Sequence, residues 1–200
     1  MVDNPTYDVL IVGGGLAGLR AAIAAVSTDP TASVALVSKV YPMRSHTVSA
    51  EGGAAAVLRE PDSFESHAFD TIKGSDYLAD QDVVEVFVRE APLEIIQMEH
   101  WGCPWSREPD GTISVRPFGG MTTWRTVFAA DKSGFHMLHT IFQTSLRYPQ
   151  IQRRDEFFVT SLIVEDGRCQ GVIGFDIRTG VVQPIAARSV VLATGGNGRI

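Results

Sequence analysis

The sequence predicts an α/β fold, doubly wound around a parallel sheet and carrying a small β-meander late in the chain. Three observations predict it. Val9-Leu10-Ile11-Val12 is a continuous apolar run ending in glycine, as a strand buried on both faces of a parallel sheet reads. Leu16 to Val26 is mostly Ala and Leu, both good helix formers, and stops before the turn signal Asp29-Pro30. Ser33 to Ser38, with Val34, Leu36 and Val37, reads as a second strand and completes a strand–helix–strand unit of about 30 residues.

The later elements follow in order. A loop from Lys39 to Thr47 leads to Gly52-Gly53 and an alanine run, after which the chain is helical and polar by turns. Asp80 is the N-cap expected for a helix through Val83, Val84, Phe87 and Val88; Pro92 opens a second helix, and Gly102 stops it. Between Gly102 and Asp131 the chain is rich in Gly, Pro and Trp without steady periodicity, which suits a loop lining a site. Ser133 is expected to cap a helix whose Phe135, Leu138 and Phe142 form one core-facing stripe. From Phe158, apolar runs broken at Asp166-Gly167 and Thr179-Gly180 give the meander. Val190-Val191-Leu192 then reads as a further buried strand entering Ala193-Thr194-Gly195-Gly196.

Composition narrows the function. With 17 Lys and Arg against 23 Asp and Glu, the net charge of −6 argues against a nucleic-acid surface and for small molecules and proteins as partners. Cys103 and Cys169, far apart in sequence, cannot build a zinc site or an iron–sulfur cluster. The opening Met1-Val2-Asp3-Asn4-Pro5 lacks the basic region of a secretory signal. The most apolar stretch, Val9 to Leu19, falls far short of a span of about 20 residues, so membrane contact is expected through a partner.

Gly13-Gly14-Gly15-Leu16-Ala17-Gly18 fits G-x-G-x-x-G and stands where that motif works, directly after a strand and opening a helix. The first glycine permits the tight turn, the middle one lets backbone approach a pyrophosphate, and the last allows close helix–strand packing. Helix N-terminal N–H groups then favour the phosphate charge. The end of the second strand carries Ser38-Lys39 where the usual fingerprint has an acidic residue for the ribose, so the motif alone does not choose between FAD and NAD.

His46 taken alone is a solvated loop histidine. Its surroundings, Ser45-His46-Thr47-Val48-Ser49-Ala50-Glu51-Gly52-Gly53, resemble the flavin-attachment segment of the succinate dehydrogenase/fumarate reductase flavoprotein family. Further matches run in order through Gly13 to Arg20, Ser38 to Gly53, Trp101 to Arg107, Phe118 to Met121, Ala129 to Thr140 and Ala193 to Arg199. The resemblance implies a Rossmann-like FAD-binding domain spanning residues 1–200 and truncated before the family's capping domain and C-terminal helical region, hence inactive alone. It implies FAD bonded covalently to His46, and hydride transfer from flavin to fumarate with an arginine of the missing part as proton donor. Gly52 and Gly53 are expected beside the flavin ring, Phe118 against the dicarboxylate, the backbone of Phe157, Phe158 and Val159 at the adenine, and Thr194-Gly195 at a second backbone contact.

Glu51 matches the fumarate reductases, where most succinate dehydrogenases have glutamine; buried near flavin and dicarboxylate it would share in proton handling, and otherwise it is a surface acid opening a helix. The implied assembly is a quinol:fumarate reductase at the cytoplasmic face of the inner (plasma) membrane, held there through an iron–sulfur subunit and membrane anchor subunits. A succinate dehydrogenase flavoprotein and a non-catalytic FAD-binding fragment remain alternatives. L-aspartate oxidase, which shares the fold, lacks the attachment histidine. His136 and His139, at i and i+3, read as core or cofactor-shielding rather than as metal ligands, and Arg125 and Asp131 as structural or phosphate-proximal.

Overall fold

A computed structural model describes residues 6–196; the Met1 to Pro5 opening and the last three residues of the Ala193 to Arg199 match lie outside the described residues. In chain order the elements are β1 (Tyr7–Val12), α1 (Leu16–Thr28), β2 (Val34–Ser38), β3 (Ala54–Ala55), α2 (Phe64–Gly74), α3 (Gln81–His100), β4 (Val115–Arg116) and β5 (Thr126–Val127). They continue with α4 (Ser133–Ser145), β6 (Ile151–Asp155), β7 (Phe157–Glu165), β8 (Arg168–Asp176) and β9 (Val182–Leu192). Short 3₁₀ turns occupy Pro42–Arg44 and His46–Ser49. The chain forms two compact units, Met1–Thr47 with Ile141–Ile200, and Val48–Thr140.

The first unit is built on a six-stranded sheet in the order β6-β2-β1-β9-β8-β7. β6, β2, β1 and β9 pair in parallel, with Val9 beside Val34, Val12 beside Leu192 and Ser38 beside Asp155. β7 and β8 are joined through the Asp166-Gly167 turn, both residues at positive φ, and β8 pairs antiparallel with β9. Strand periodicity splits the side chains of β1 and β2 between two faces. Leu10, Val12, Ala35 and Val37 share one buried cluster with Phe157, Val172, Ile185 and Ala187, so the meander covers that face. Ile11 turns to the other face, under α1, which buries Leu19, Ala22, Ile23 and Val26. Leu19, Ile23 and Val26, taken from water, contribute about 1.5–3 kcal/mol each.

Three sequence expectations change. Val190-Val191-Leu192 is no separate strand but the end of β9, and Val191 and Leu192 are exposed rather than buried. One long strand serves both halves, pairing with β8 up to Ala186 and with β1 from Ala187 onward. β6 is additional, because Ile151-Gln152-Arg153-Arg154-Asp155 is too polar to announce a strand and is placed by pairing with β2. In α4, Leu138, Ile141 and Phe142 are buried but Phe135 is exposed. The buried side is therefore turned from the stripe that the Phe135 spacing suggests.

In the second unit, Gly52-Gly53 leads into β3, and the short strands order β3-β5-β4. The Ser63 side chain caps α2 by accepting from Ser66 N. Asp80 caps α3 by accepting from Val83 N. The break expected at Pro92 does not occur, and one helix runs through it. Pro92 has no N–H to donate, yet Val84, Val88, Ile95 and Met98 form one buried stripe across it, and that packing carries the helix past the missing bond. Gly102, at positive φ, stops the helix: its N–H reaches Glu99 O at 2.8 Å and Cys103 N reaches Met98 O at 2.9 Å, the pair of bonds of a Schellman end. Ser133 is not a cap; it is the first residue of α4, buried, with its hydroxyl accepting from Ala129 N.

The tightest point of the first unit lies between β1 and α1. A Cβ on Gly18 would stand 1.8 Å from the carbonyl oxygen of Gly13. Gly18→Ala is therefore expected to lift α1 from the sheet and to cost about 3 kcal/mol, the upper part of the usual overpacking range. Chemical denaturation of the two proteins checks this, and equal midpoints would show that the helix has room.

Candidate functional site

The turn from β1 into α1 is fixed from both sides. Gly13 N donates to Val37 O on β2 at 2.8 Å, and Ala193 N, just past β9, donates to Val12 O at 2.8 Å. Gly13 has φ +121, and a Cβ there would meet Ala193 O at 2.1 Å. Glycine is thus required by the approach of the strand extensions as well as by the turn. Gly15 takes the N-cap position of α1, where it has no side chain to offer, and no acidic residue stands in the first turn. Leu16 N instead donates to Thr47 Oγ1 at 3.2 Å, a cap contributed from 31 residues away. Leu16, Ala17 and Gly18 form the helix's first turn, where backbone N–H groups lack intrahelical partners.

Around this end the structure gathers several residues singled out in the sequence. The space a Cβ on Gly15 would fill is bounded by Thr47 Oγ1 at 3.3 Å and Ser45 Oγ at 3.6 Å. That of Gly14 is bounded by the Ser38 side chain at 3.0 Å. Ser45 Oγ is buried without a hydrogen-bond partner. Ser38 is buried at the end of β2, and Lys39 beyond it is exposed. Asp155 on β6 pairs in register with Ser38. Burial raises the Asp155 carboxyl above its ordinary range, against the opposing pull of Arg153.

Of the other predicted residues, Thr194 brings its backbone N to 3.2 Å from where a Cβ on Gly13 would stand. His46 is exposed at the start of its 3₁₀ turn. Thr194 and Gly195 follow β9, which ends at Leu192, and are exposed. The Phe157 side chain lies in the core, while Phe158 is exposed and stacks on Phe175 at 5.5 Å. The buried Phe157 side chain leaves only its backbone for a ligand.

In the second unit Gly52 and Phe118 meet. A Cβ on Gly52 would lie 2.9 Å from the Phe118 ring, and a Cβ on Gly53 would lie 2.2 Å from Val127 O. Both glycines are thus demanded by protein neighbours. Gly52, Gly53, Ala55, Phe118, Met121 and Thr126 line a pocket of about 110 Å³. Glu51 is exposed and opens no helix, so neither the burial nor the helix-opening role expected for it is present. Sequence reasoning missed Arg116. Its guanidinium donates to Gly52 O at 2.6 Å, Glu51 O at 3.0 Å and Ala130 O at 3.4 Å, and stacks over Phe128 at 4.5 Å.

The FAD binding domain family matches residues 8–199 of this chain. The chain belongs to that family. It is 59% identical over 194 residues to the fumarate reductase flavoprotein subunit of Mycobacterium tuberculosis (strain H37Rv), covering 97% of this chain and 33% of that protein. It is 44% identical over 203 residues to the succinate dehydrogenase flavoprotein subunit of Rickettsia bellii, covering 96% and 34%. A structure of E. coli quinol fumarate reductase superposes with a TM-score of 0.93 at 59% identity, over 97% of this chain and 33% of that one. The chain thus spans about a third of the length of the curated relatives it matches.

The chemistry of this FAD binding domain suits an FAD pyrophosphate at the cradle. The helix N-terminus carries no acid, the glycine space is bounded by hydroxyls, and the Ser45 hydroxyl has a free proton to donate. No helix among the described residues is long and apolar enough to cross a membrane. His136 and His139 flank the Phe135 ring, with centroids at 5.5 and 4.1 Å, and so engage an aromatic surface.

Arg125 is the centre of a buried ion cluster. It binds Asp62 at two points, 2.8 and 2.7 Å, and Asp70 at 2.5 Å, with all three side chains nearly fully buried. Burial pushes the Asp70 carboxyl up, but the hydrogen bonds from Arg125 and Thr122 outweigh it and hold it below its ordinary range. Beside it, His67 is buried with Nδ1 unpartnered, and burial first, then Arg125, hold its pKa below the ordinary value. The unfolded chain therefore binds a proton at His67 more readily than the folded one does. Stability contributed here is full above about pH 6.5 and declines as the pH falls below it. His67→Gln is expected to flatten this decline between about pH 7 and about pH 5, as followed by urea denaturation monitored through tryptophan fluorescence. An unchanged slope would assign the pH dependence elsewhere.

Proposed function

We propose that this chain is the FAD-binding part of the flavoprotein subunit of a quinol:fumarate reductase. The observation carrying the reading is the glycine cradle whose helix N-terminus is tied, through Thr47, to the segment containing His46. The pyrophosphate is held by backbone N–H groups of Gly14, Gly15, Ala17 and Gly18 and by the Ser45 hydroxyl, with Ser38 at the ribose and the Phe157 to Val159 backbone at the adenine. The His46 ring is bonded to the flavin 8α-methyl, and its exposure leaves the ring free to react. When bound, FAD supplies the hydride chemistry that reduces the alkene of fumarate.

The chain's own residues prepare that site. Arg116 holds the Glu51 and Gly52 carbonyls, which sets the Gly52–Gly53 backbone as one wall. Phe118 packs across Gly52 and offers an aromatic face to the dicarboxylate. Glu51, next to the Gly52–Gly53 wall, is the carboxylate proposed for proton handling once substrate and flavin are bound. Glutamate at this position, together with an identity higher to the fumarate reductase subunit than to the succinate dehydrogenase one, favours fumarate reduction. Two cysteines, Cys103 and Cys169, cannot hold a cluster within these 200 residues, and the electron source in this reading is a separate iron–sulfur subunit, itself held on membrane anchor subunits.

The attachment is tested on the whole flavoprotein in denaturing gels after acid treatment. The protein is expected to show flavin fluorescence, and His46→Ser to lose it while its native preparation still contains FAD. Gly15→Val should lose the noncovalent flavin as well, because its side chain enters the cradle. Fluorescence that survives in His46→Ser removes the covalent assignment; full flavin content in Gly15→Val removes the cradle. Glu51→Gln is expected to lower fumarate turnover by about tenfold or more, within the range of lost acid–base catalysis, without lowering flavin content. Equal pH–rate profiles would return Glu51 to a bystander.

A further inference from the structure

The loop that carries Phe118 has little packing to place it. It is a turn closed by Met121 N on Phe118 O at 3.3 Å, and a Cβ on Gly119 or Gly120 would meet nothing within 4 Å. Phe118 itself is 54% exposed. Behind the loop lies a cavity of about 200 Å³, with Gly119, Gly120 and Met121 among its lining residues together with His67, Asp70 and Arg125. A core that would seat the loop by shape is missing there, so polar fastenings decide where the ring sits.

Two fastenings bracket it. Upstream, Arg116 is bound to the carbonyls of Glu51 and Gly52. Downstream, Asp70 Oδ2 accepts from Thr122 N at 2.9 Å and from Thr122 Oγ1 at 3.0 Å. Asp70 is in turn fixed by Arg125, which Asp62 grips at two points. Ser66, one turn before Asp70 on α2, reaches Arg125 Nη2 at 2.9 Å and Thr122 Oγ1 at 3.1 Å. We propose that Asp70 is a positioning residue: through Thr122 it holds the Phe118 ring over Gly52 and so sets how tightly the pocket takes a dicarboxylate. This rests on the reading of Gly52 and Phe118 as the dicarboxylate wall.

The hydrogen bonds of Asp70 predict a distinctive substitution pattern. Oδ2 makes every contact, while Oδ1 is buried and unpartnered. Asp70→Asn can keep its oxygen at the Oδ2 place and put its amide nitrogen at the vacant one, so the clasp survives. Asp70→Ala loses it. The probe is malonate, a dicarboxylate that cannot be reduced, titrated into the FAD-loaded flavoprotein and read by the change in flavin absorbance. Asp70→Ala is expected to raise the dissociation constant about tenfold and Asp70→Asn by less than about threefold, the scale of charged hydrogen bonds lost or kept.

The deciding measurement is the same pair in a Phe118→Ala background. If Asp70 acts through Phe118, then Asp70→Ala adds nothing once the ring is gone. Equal weakening in both backgrounds overturns the proposal. Should Asp70→Ala not fold, Thr122→Val takes its place in the cycle, with a rise of about threefold for one hydroxyl lost and the same dependence on Phe118. Unchanged malonate affinity in Phe118→Ala alone overturns the dicarboxylate reading of the wall, and this inference with it.

Discussion

The contact of Gly18 with the Gly13 carbonyl is the constraint on which the first unit turns. It seats α1 directly on the end of β1, and the helix can then present its first turn to the space between β1, β2 and the chain beyond β9. Any side chain at either position would separate these elements. The parallel pairing of β9 with β1 follows the same logic, because Ala193 comes within hydrogen-bonding distance of Val12 only where Gly13 carries no Cβ. A backbone packed this closely costs conformational freedom, and the buried apolar layers of β1, β2 and the meander offset that cost.

Much of this was legible from residues whose local preference and tertiary role agree. The glycine turn, the two first strands, the Asp80 cap, the Gly102 stop and the Asp166-Gly167 hairpin each appear where their chemistry places them. The failures have one cause, tertiary packing overriding a local signal. Pro92 breaks an isolated helix, but a buried stripe on both sides of it holds α3 straight through. Ile151 to Asp155 is polar and still becomes a strand, because β2 offers it an edge. The Phe135 spacing suggests a core stripe that the packing of α4 turns away.

The candidate site divides in the same manner. The cradle glycines and the Ser45 to Gly53 segment carried visible patterns, whereas the groups that hold them did not. Arg116, Asp70 and Thr122 are ordinary residues in an irregular stretch, and only their backbone partners reveal a task. Thr47 gives a hint in retrospect: a helix that starts at glycine has no side-chain cap of its own and must find one elsewhere.

The two units also treat buried polar groups differently. Around Arg125, Asp62 is satisfied at both oxygens and Asp70 gives one oxygen to three donors, so the ion pairs are made within the protein, while Asp70 Oδ1 and His67 Nδ1 are left unpartnered. Beside Gly15, the Ser45 hydroxyl is buried without a partner and the helix end has no acid. An unsatisfied group costs stability unless something binds it. What separates the two is charge: the Arg125 guanidinium already has its carboxylates, whereas the α1 end has no acid in its first turn. On the readings proposed above, the Arg125 cluster holds the Phe118 wall and the Gly15 end, free of acid, receives an anionic group.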